Sequence, residues 1–89
     1  MAVGIIFDGA GVTQAQYEQV LRQVSPDNRL VPGMLTHCAG ATEDGWCVVE
    51  TWASQEAAGQ FFEQTLGQAL EQAGITIQPR FFQVVNTMR

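Results

Sequence analysis

Lysine is absent from this 89-residue sequence, and its basic residues are a single histidine and the arginines Arg22, Arg29, Arg80 and Arg89. The formal net charge is −5. A surface that binds nucleic acid needs basic side chains that neutralise phosphates, and a surface that docks on anionic lipid needs them too. We therefore expect neither nucleic acid nor membrane as a partner.

Metal-ligating and disulfide-forming residues are equally scarce. His37, Cys38 and Cys47 are the only histidine and cysteines, too few for a structural zinc site of the usual four-ligand kind. Neither a basic segment followed by an apolar run nor a run long enough to span a membrane is found, so we expect a reducing, cytoplasmic setting. There the two cysteines are expected to be small buried groups, although one register of the strands that carry them would still allow a bridge.

Sequence motifs for cofactors and nucleophiles are also missing. The glycines at positions 4, 9, 11 and 33 do not have the spacing of a phosphate-binding or dinucleotide-binding loop. No motif around a serine or cysteine nucleophile is present. We expect no cofactor.

Strand-like and helix-like segments alternate in the order β, α, β, β, α, β. Thr13, with Gln16 three residues later, predicts the start of the first helix, and Ser54 that of the second. Asp44 and Gly45 predict a hairpin between the second and third strands. The predicted strands are 3–8, 34–41, 46–52 and 80–86, and the predicted helices run from Thr13 to about 25 and from Ser54 to Gly74.

This order predicts one α+β domain over residues 1–89, with the ferredoxin-like βαββαβ arrangement. Two helices would cover one face of a four-stranded antiparallel sheet. The strands carry more apolar residues than that one face can hold, so a second apolar face needs a cover. A second copy of the chain is the simplest cover, which predicts a homodimer. The residues behind this argument are Ile6, Cys38, Cys47, Val49, Phe81 and Phe82.

The run from Asp44 to Ala57 resembles the dimeric α+β barrel superfamily, which includes the antibiotic-biosynthesis-monooxygenase-like proteins. It is similar to that family's hairpin, third strand ending in Trp52, and Ser-capped helix carrying an aromatic residue. The resemblance implies two ferredoxin-like subunits whose sheets pack face to face. The superfamily contains cofactor-free oxygenases, haem-degrading enzymes and isomerase-like members. Among possible counterparts of the oxygenases' substrate-binding residues are Trp52 and Asn86. No histidine lies in the second helix, so haem degradation is not expected.

Strand parity defines a candidate site. A two-residue and a four-residue connection in the hairpin both place the same residues on each face of the sheet. His37 should therefore share a sheet face with Glu50 and Trp52. Neighbours of this kind lie within about 5 to 8 Å at Cβ. We predict that Glu50 orients and charges His37, which acts as acid or base. The alternative is that the two side chains merely satisfy each other's hydrogen bonds and that Trp52 is an ordinary core residue.

The helices should close this space from above with Tyr17, Phe61, Phe62 and Leu66. The predicted ligand-binding residues are Tyr17, Phe61, Phe62, Trp52 and Asn86. Plain core packing is the alternative for such a helical stripe.

Two functions remain open at this point. The first is a small-molecule-binding dimer with a cofactor-independent monooxygenase or isomerase activity on an aromatic or quinone-like compound. The second is a non-enzymatic structural or regulatory dimer whose pocket is filled by side chains. A void between sheet and helices would favour the first, and complete filling the second.

Overall fold

The computed structural model describes residues 2–88. Its elements follow one another in the predicted order. They are β1 (Val3–Ala10), α1 (Gln14–Val24), β2 (Met34–Ala41), β3 (Gly45–Trp52), α2 (Gln55–Phe61), a π-helical segment (Phe62–Leu66), α3 (Gly67–Gln72) and β4 (Pro79–Gln83).

The four strands form one antiparallel sheet in the order β2-β3-β1-β4. Helices pack against the face that carries Ile5, Phe7 and Trp52, all of which are buried. The ferredoxin-like βαββαβ arrangement is thereby confirmed.

The hairpin between β2 and β3 has the predicted parity. Ala41 pairs with Trp46 across a four-residue connection, and His37 pairs with Glu50. Near Met34 the register shifts at a β-bulge. Along the rest of the pair, odd-numbered residues of β2 lie opposite even-numbered residues of β3. The bulge inserts one extra residue into β2, so the even-numbered Met34 lies opposite the even-numbered Trp52.

The start of α1 is a capping box, as predicted. The Thr13 hydroxyl accepts a hydrogen bond from the Gln16 backbone N–H at 3.1 Å, and the Gln16 side chain accepts one from the Thr13 N–H at 3.0 Å. These bonds satisfy donors that a helix start otherwise leaves without partners. The first helix therefore begins where the sequence indicates. Its last residue, Val24, also agrees with the predicted end near residue 25.

The second predicted helix is continuous in backbone direction but contains a π-helical turn. Ser54 caps its start by accepting from the Ala57 N–H at 3.1 Å. The Gly67 N–H then donates to the Phe62 carbonyl, five residues earlier. Wide turns of this kind change which residues share a helix face and frequently occur at functional sites.

The last strand is shorter than the predicted 80–86. β4 ends at Gln83, which pairs with Val3 at the start of β1. One more ladder bond joins the Val84 N–H to the Ala2 carbonyl at 3.0 Å. Since β1 begins there, the described residues beyond Val84, including Asn86, have no partner strand and leave the sheet.

The sheet face away from the helices is open in the single chain. Phe82 is 44% exposed and Val49 37% exposed, and Cys38 on the same face is exposed as well. Phe81 pairs with Ile5, so it belongs to the helix-covered face, yet it remains exposed at the sheet edge.

None of the helices described within residues 2–88 has the length and apolar character needed to cross a bilayer. The cytoplasmic setting stays a prediction from composition.

Two glycines in turns have left-handed backbones, and one of them, Gly33 just before β2, lies against α2. Gly33 has φ 89°, and an added Cβ would lie 2.8 Å from the Ala57 Cβ; Gly11 has φ 76°, with no described atom within 4 Å of an added Cβ. This conformation costs an L-residue about 1–2 kcal/mol. We expect Gly11→Ala to lower the free energy of unfolding by about 1 kcal/mol and Gly33→Ala by clearly more. Urea denaturation at equal protein concentration measures both, and equal losses would refute the close contact.

Candidate functional site

A cavity of about 240 Å³ lies between the sheet and the helices. It is partly open, and its wall is mainly apolar. The aromatic residues predicted from the sequence therefore do not fill the interlayer space. The cavity is lined by side chains of β1, α1, the loop after α1, β2, β3 and the helical run from α2 to α3, together with Ile75 and Ile77.

Three side chains at the wall of this cavity and one buried behind it form a hydrogen-bonded chain. The Tyr17 hydroxyl oxygen lies 2.7 Å from His37 Nε2, and His37 Nδ1 lies 2.8 Å from Glu50 Oε2. The Trp52 indole N–H donates to Glu50 Oε1 at 3.0 Å. One helix and two strands therefore hold a single polar array.

Glu50 is the most deeply buried acidic group of this chain, with 4% of its surface exposed. A buried carboxylate is tolerated only where hydrogen bonds or an opposite charge compensate for lost hydration. Here each oxygen has its own partner, His37 for one and Trp52 for the other. The two hydrogen bonds thus fix the orientation of the Glu50 carboxylate relative to the imidazole.

The hydrogen bonds also determine which nitrogen of His37 carries a proton. A carboxylate only accepts, so the nitrogen facing Glu50, Nδ1, is the donor. In the neutral ring Nε2 is then the acceptor, and the Tyr17 hydroxyl donates to it. This arrangement makes Nε2 a proton acceptor supported by a buried negative charge.

The Tyr17 ring stands between the histidine and a tryptophan. Its centroid is 6.0 Å from that of His37 with an interplanar angle of 21°, and 5.3 Å from that of Trp46 with an angle of 34°. Burial raises the pKa of Tyr17 above its ordinary value of 10.0, and the negative charges of Glu50 and Cys38 raise it further. The phenol is therefore held neutral at physiological pH.

The predicted site residues fall into two groups. Tyr17, His37, Glu50 and Phe61 line the cavity. Trp52 is almost fully buried behind it, where its indole packs on Phe61 at 5.4 Å between ring centroids and fixes Glu50.

The other two predicted ligand-binding residues are not among the described cavity-lining residues. Phe62, the first residue of the π-helical segment, packs against the core formed by residues of β1, β3 and α2. Asn86 is exposed beyond the end of β4.

Several residues of the cavity wall were not predicted from the sequence as ligand-binding residues. Trp46 lines the cavity beside Tyr17, and so do Val20, Leu21 and Val24 on α1. These three share the helical spacing that identifies Tyr17, so the stripe itself was the available signal. The contributions of Leu30, Val31 and Met34 depend on the path of a loop and on the bulge, for which no sequence signal was evident.

Both cysteines are free and lie on the open sheet face, outside the cavity. Cys38 pairs with Val49 and Cys47 with Gly40, so the register that would place the cysteines opposite each other is not the one adopted. The expected burial is not seen in the single chain, where Cys38 is exposed. Burial and the nearby Asp8 raise the pKa of the Cys47 thiol. Within residues 2–88 no cluster of three potential metal ligands is found.

Comparisons with known proteins identify the fold. No family model and no curated protein sequence matches the chain. Among solved structures, a provisionally assigned antibiotic biosynthesis monooxygenase from Chloroflexus aurantiacus has 14% identity and a TM-score of 0.71, covering 100% of this chain and 98% of its own. A provisionally assigned monooxygenase of the same kind from Deinococcus radiodurans has 14% identity and a TM-score of 0.68, with coverages of 100% and 97%.

SnoaB, a cofactor-independent oxygenase from Streptomyces nogalater, has 16% identity and a TM-score of 0.65, covering 98% of this chain and 95% of its own. The chain therefore has the fold of these solved structures, two of which are described as antibiotic biosynthesis monooxygenases. The resemblance noted in the sequence is confirmed at the level of the fold.

Titration of Tyr17 tests the polar array directly, because it is the only tyrosine in the chain. We expect its phenol to ionise above pH 10.0, and Glu50→Gln to lower that pKa by removing one of the charges that raise it. Near-ultraviolet difference absorbance follows the phenolate. The raised folded-state pKa also means that the associated stability is complete below pH 10.0 and is lost as the pH rises through the folded-state value.

The matched control is Glu43→Gln, which removes an exposed carboxylate from the hairpin. It should leave the tyrosine titration unchanged. An identical titration curve in both variants would show that Glu50 does not act on Tyr17.

Proposed function

We propose that this protein binds a small aromatic compound in the cavity and acts on it as a cofactor-independent oxygenase. An apolar cavity of about 150 Å³ takes up one benzene. A volume of about 240 Å³ therefore suits a compound of about two fused rings. Sites for such ligands are mainly apolar and carry a few placed polar groups.

The observation that carries the proposal is that a void and a hydrogen-bonded chain coincide. Tyr17, His37 and Glu50 each line the cavity and are bonded in series. A structural module needs no void beside its buried polar groups, whereas a site for acid–base chemistry needs both. This favours a ligand-binding protein over the non-enzymatic alternative.

The polar chain supplies what oxygenation without a cofactor requires, namely removal of a proton. A phenol of the 1-naphthol type becomes electron-rich when its hydroxyl is deprotonated, and its para carbon can then react with dioxygen. The para carbon gains one oxygen atom and the hydroxyl carbon becomes a second carbonyl. The hydroxyl hydrogen and the para hydrogen leave with the other oxygen atom as water. Dioxygen is the oxidant, and no external reductant is consumed. His37 supported by Glu50 would accept the proton.

The fold supports the same reaction class, since SnoaB is described as a cofactor-independent oxygenase. Isomerisation shares the proton-removal step but consumes no dioxygen. Oxygen uptake by metal-free protein with 1-naphthol as probe separates the two, because an isomerase consumes no dioxygen.

A cavity-filling substitution tests the binding site. We expect Leu21→Trp to abolish binding of 1-naphthol, because the indole would occupy the space that Leu21 lines. Isothermal titration calorimetry measures the affinity. Leu21→Phe, which adds less volume, should weaken binding and guards against failure of the larger variant to fold.

Gln19→Trp is the control, since this exposed position lies on the same helix and does not line the cavity. Its affinity should equal that of the unmodified protein. Undiminished binding in folded Leu21→Trp would remove the ligand from this cavity.

We further propose that a second copy of the chain covers the open sheet face. Support comes from the exposed apolar side chains of Phe82 and Val49 and the partly exposed Ile6, which together make that face unfavourable in water. The described neighbours share a fold whose superfamily is named for such dimers.

The dimer is tested by sedimentation. At micromolar concentration we expect a mass of about twice 9.7 kDa. Val49→Arg should shift the mass toward 9.7 kDa, because it places a charge in the face that the second copy would bury. Gln19→Arg, exposed on α1, should not. A stable monomer of the unmodified chain contradicts the proposal.

A further inference from the structure

Both ring nitrogens of His37 are already engaged. Nδ1 lies 2.8 Å from the Glu50 carboxylate, and Nε2 lies 2.7 Å from the Tyr17 hydroxyl. An imidazole offers only these two polar atoms. A ligand in the cavity therefore finds no free nitrogen on the histidine unless it displaces one of its partners.

Tyr17 still has hydrogen-bonding capacity. Its hydroxyl proton points to His37 Nε2, and a phenolic oxygen can also accept a hydrogen bond. Tyr17 lines the cavity and is partly exposed. Its oxygen is thus the outer member of the chain, with His37, Glu50 and Trp52 behind it.

From this geometry we infer that the Tyr17 hydroxyl oxygen, rather than the His37 ring, receives the proton of a phenolic ligand. The inference rests on the proposed function and defines its ligand class as hydroxyl-bearing aromatics. The ligand O–H bond breaks as its proton joins the Tyr17 oxygen, and the original Tyr17 proton moves to His37 Nε2. The ligand becomes a phenolate, Tyr17 remains a neutral phenol, and His37 becomes an imidazolium paired with Glu50.

The surroundings favour a tyrosine that is neutral before and after this transfer. Burial, Glu50 and Cys38 all disfavour its phenolate. Glu50, in contrast, stabilises the imidazolium formed at His37, 2.8 Å away. Tyr17 is then the catalytic residue that contacts the ligand, whereas His37 and Glu50 position it and store the proton.

Binding of 4-nitrophenol tests this assignment, because its phenolate has a visible absorbance. Its methyl ether, 4-nitroanisole, has a similar ring and no proton to give. In the unmodified protein we expect the pKa of bound 4-nitrophenol to fall by about one or more below that of the free probe, since an opposite charge nearby shifts a pKa by about 1–3. The ionised-to-neutral ratio would then rise about tenfold or more at a given pH.

Two substitutions locate the acceptor. Tyr17→Phe keeps the ring beside Trp46 but removes the oxygen, so the lowered pKa of bound 4-nitrophenol should be lost while 4-nitroanisole still binds. His37→Gln can still bond to Tyr17 but cannot hold the proton, so the bound probe should again stay neutral.

The outcomes separate the inference from the function on which it rests. A lowered pKa that persists in Tyr17→Phe would show that His37 meets the ligand directly, which overturns the inference and leaves the proposed function standing. Failure of both probes to bind the unmodified protein would contradict the cavity as a ligand site, and the inference would fall with it.

Discussion

The buried carboxylate of Glu50 is the constraint around which the site is built. It lies on β3 with only 4% of its surface exposed, so it must find partners within the protein. Trp52, two residues later on the same strand face, satisfies one oxygen, and His37 on the neighbouring strand satisfies the other. The second bond fixes the imidazole ring and leaves Nε2 facing the first helix. The position of Tyr17 then completes an array that would lose its pairing if Glu50 were removed.

The layers of the fold turn this array into a site. Ile5 and Phe7 of β1 are buried under the helices, and β1 pairs with β3 along its whole length. The strand that carries Glu50 is therefore held in place against the helical layer. The helical run above it is interrupted by the π-helical segment. Phe61, just before this segment, and Leu66, its last residue, both line the cavity. The polar chain stands at the edge of an apolar space in which its electrostatic effects are stronger than in water.

Much of the architecture was predictable because it depends on local patterns. The capping pair Thr13 and Gln16, the cap at Ser54 and the hairpin signal at Gly45 determined where elements begin. Strand periodicity is independent of the loop's detailed shape, so the shared face of His37 and Glu50 followed from parity. The end of β4 was mispredicted, because it depends on where its partner strand begins rather than on β4 itself.

The sequence by itself determined the fold class, the shared sheet face of His37, Glu50 and Trp52, and the scarcity of basic side chains. Periodicity depends on residues close together in the chain, and net charge depends on composition alone. Only the tertiary structure decided that Tyr17 bonds to His37, that Trp52 lies behind the site, and that a void remains. The packing distance between layers depends on many side chains at once, on a bulge and on a π-helical turn. No residue pattern along one segment encodes that distance.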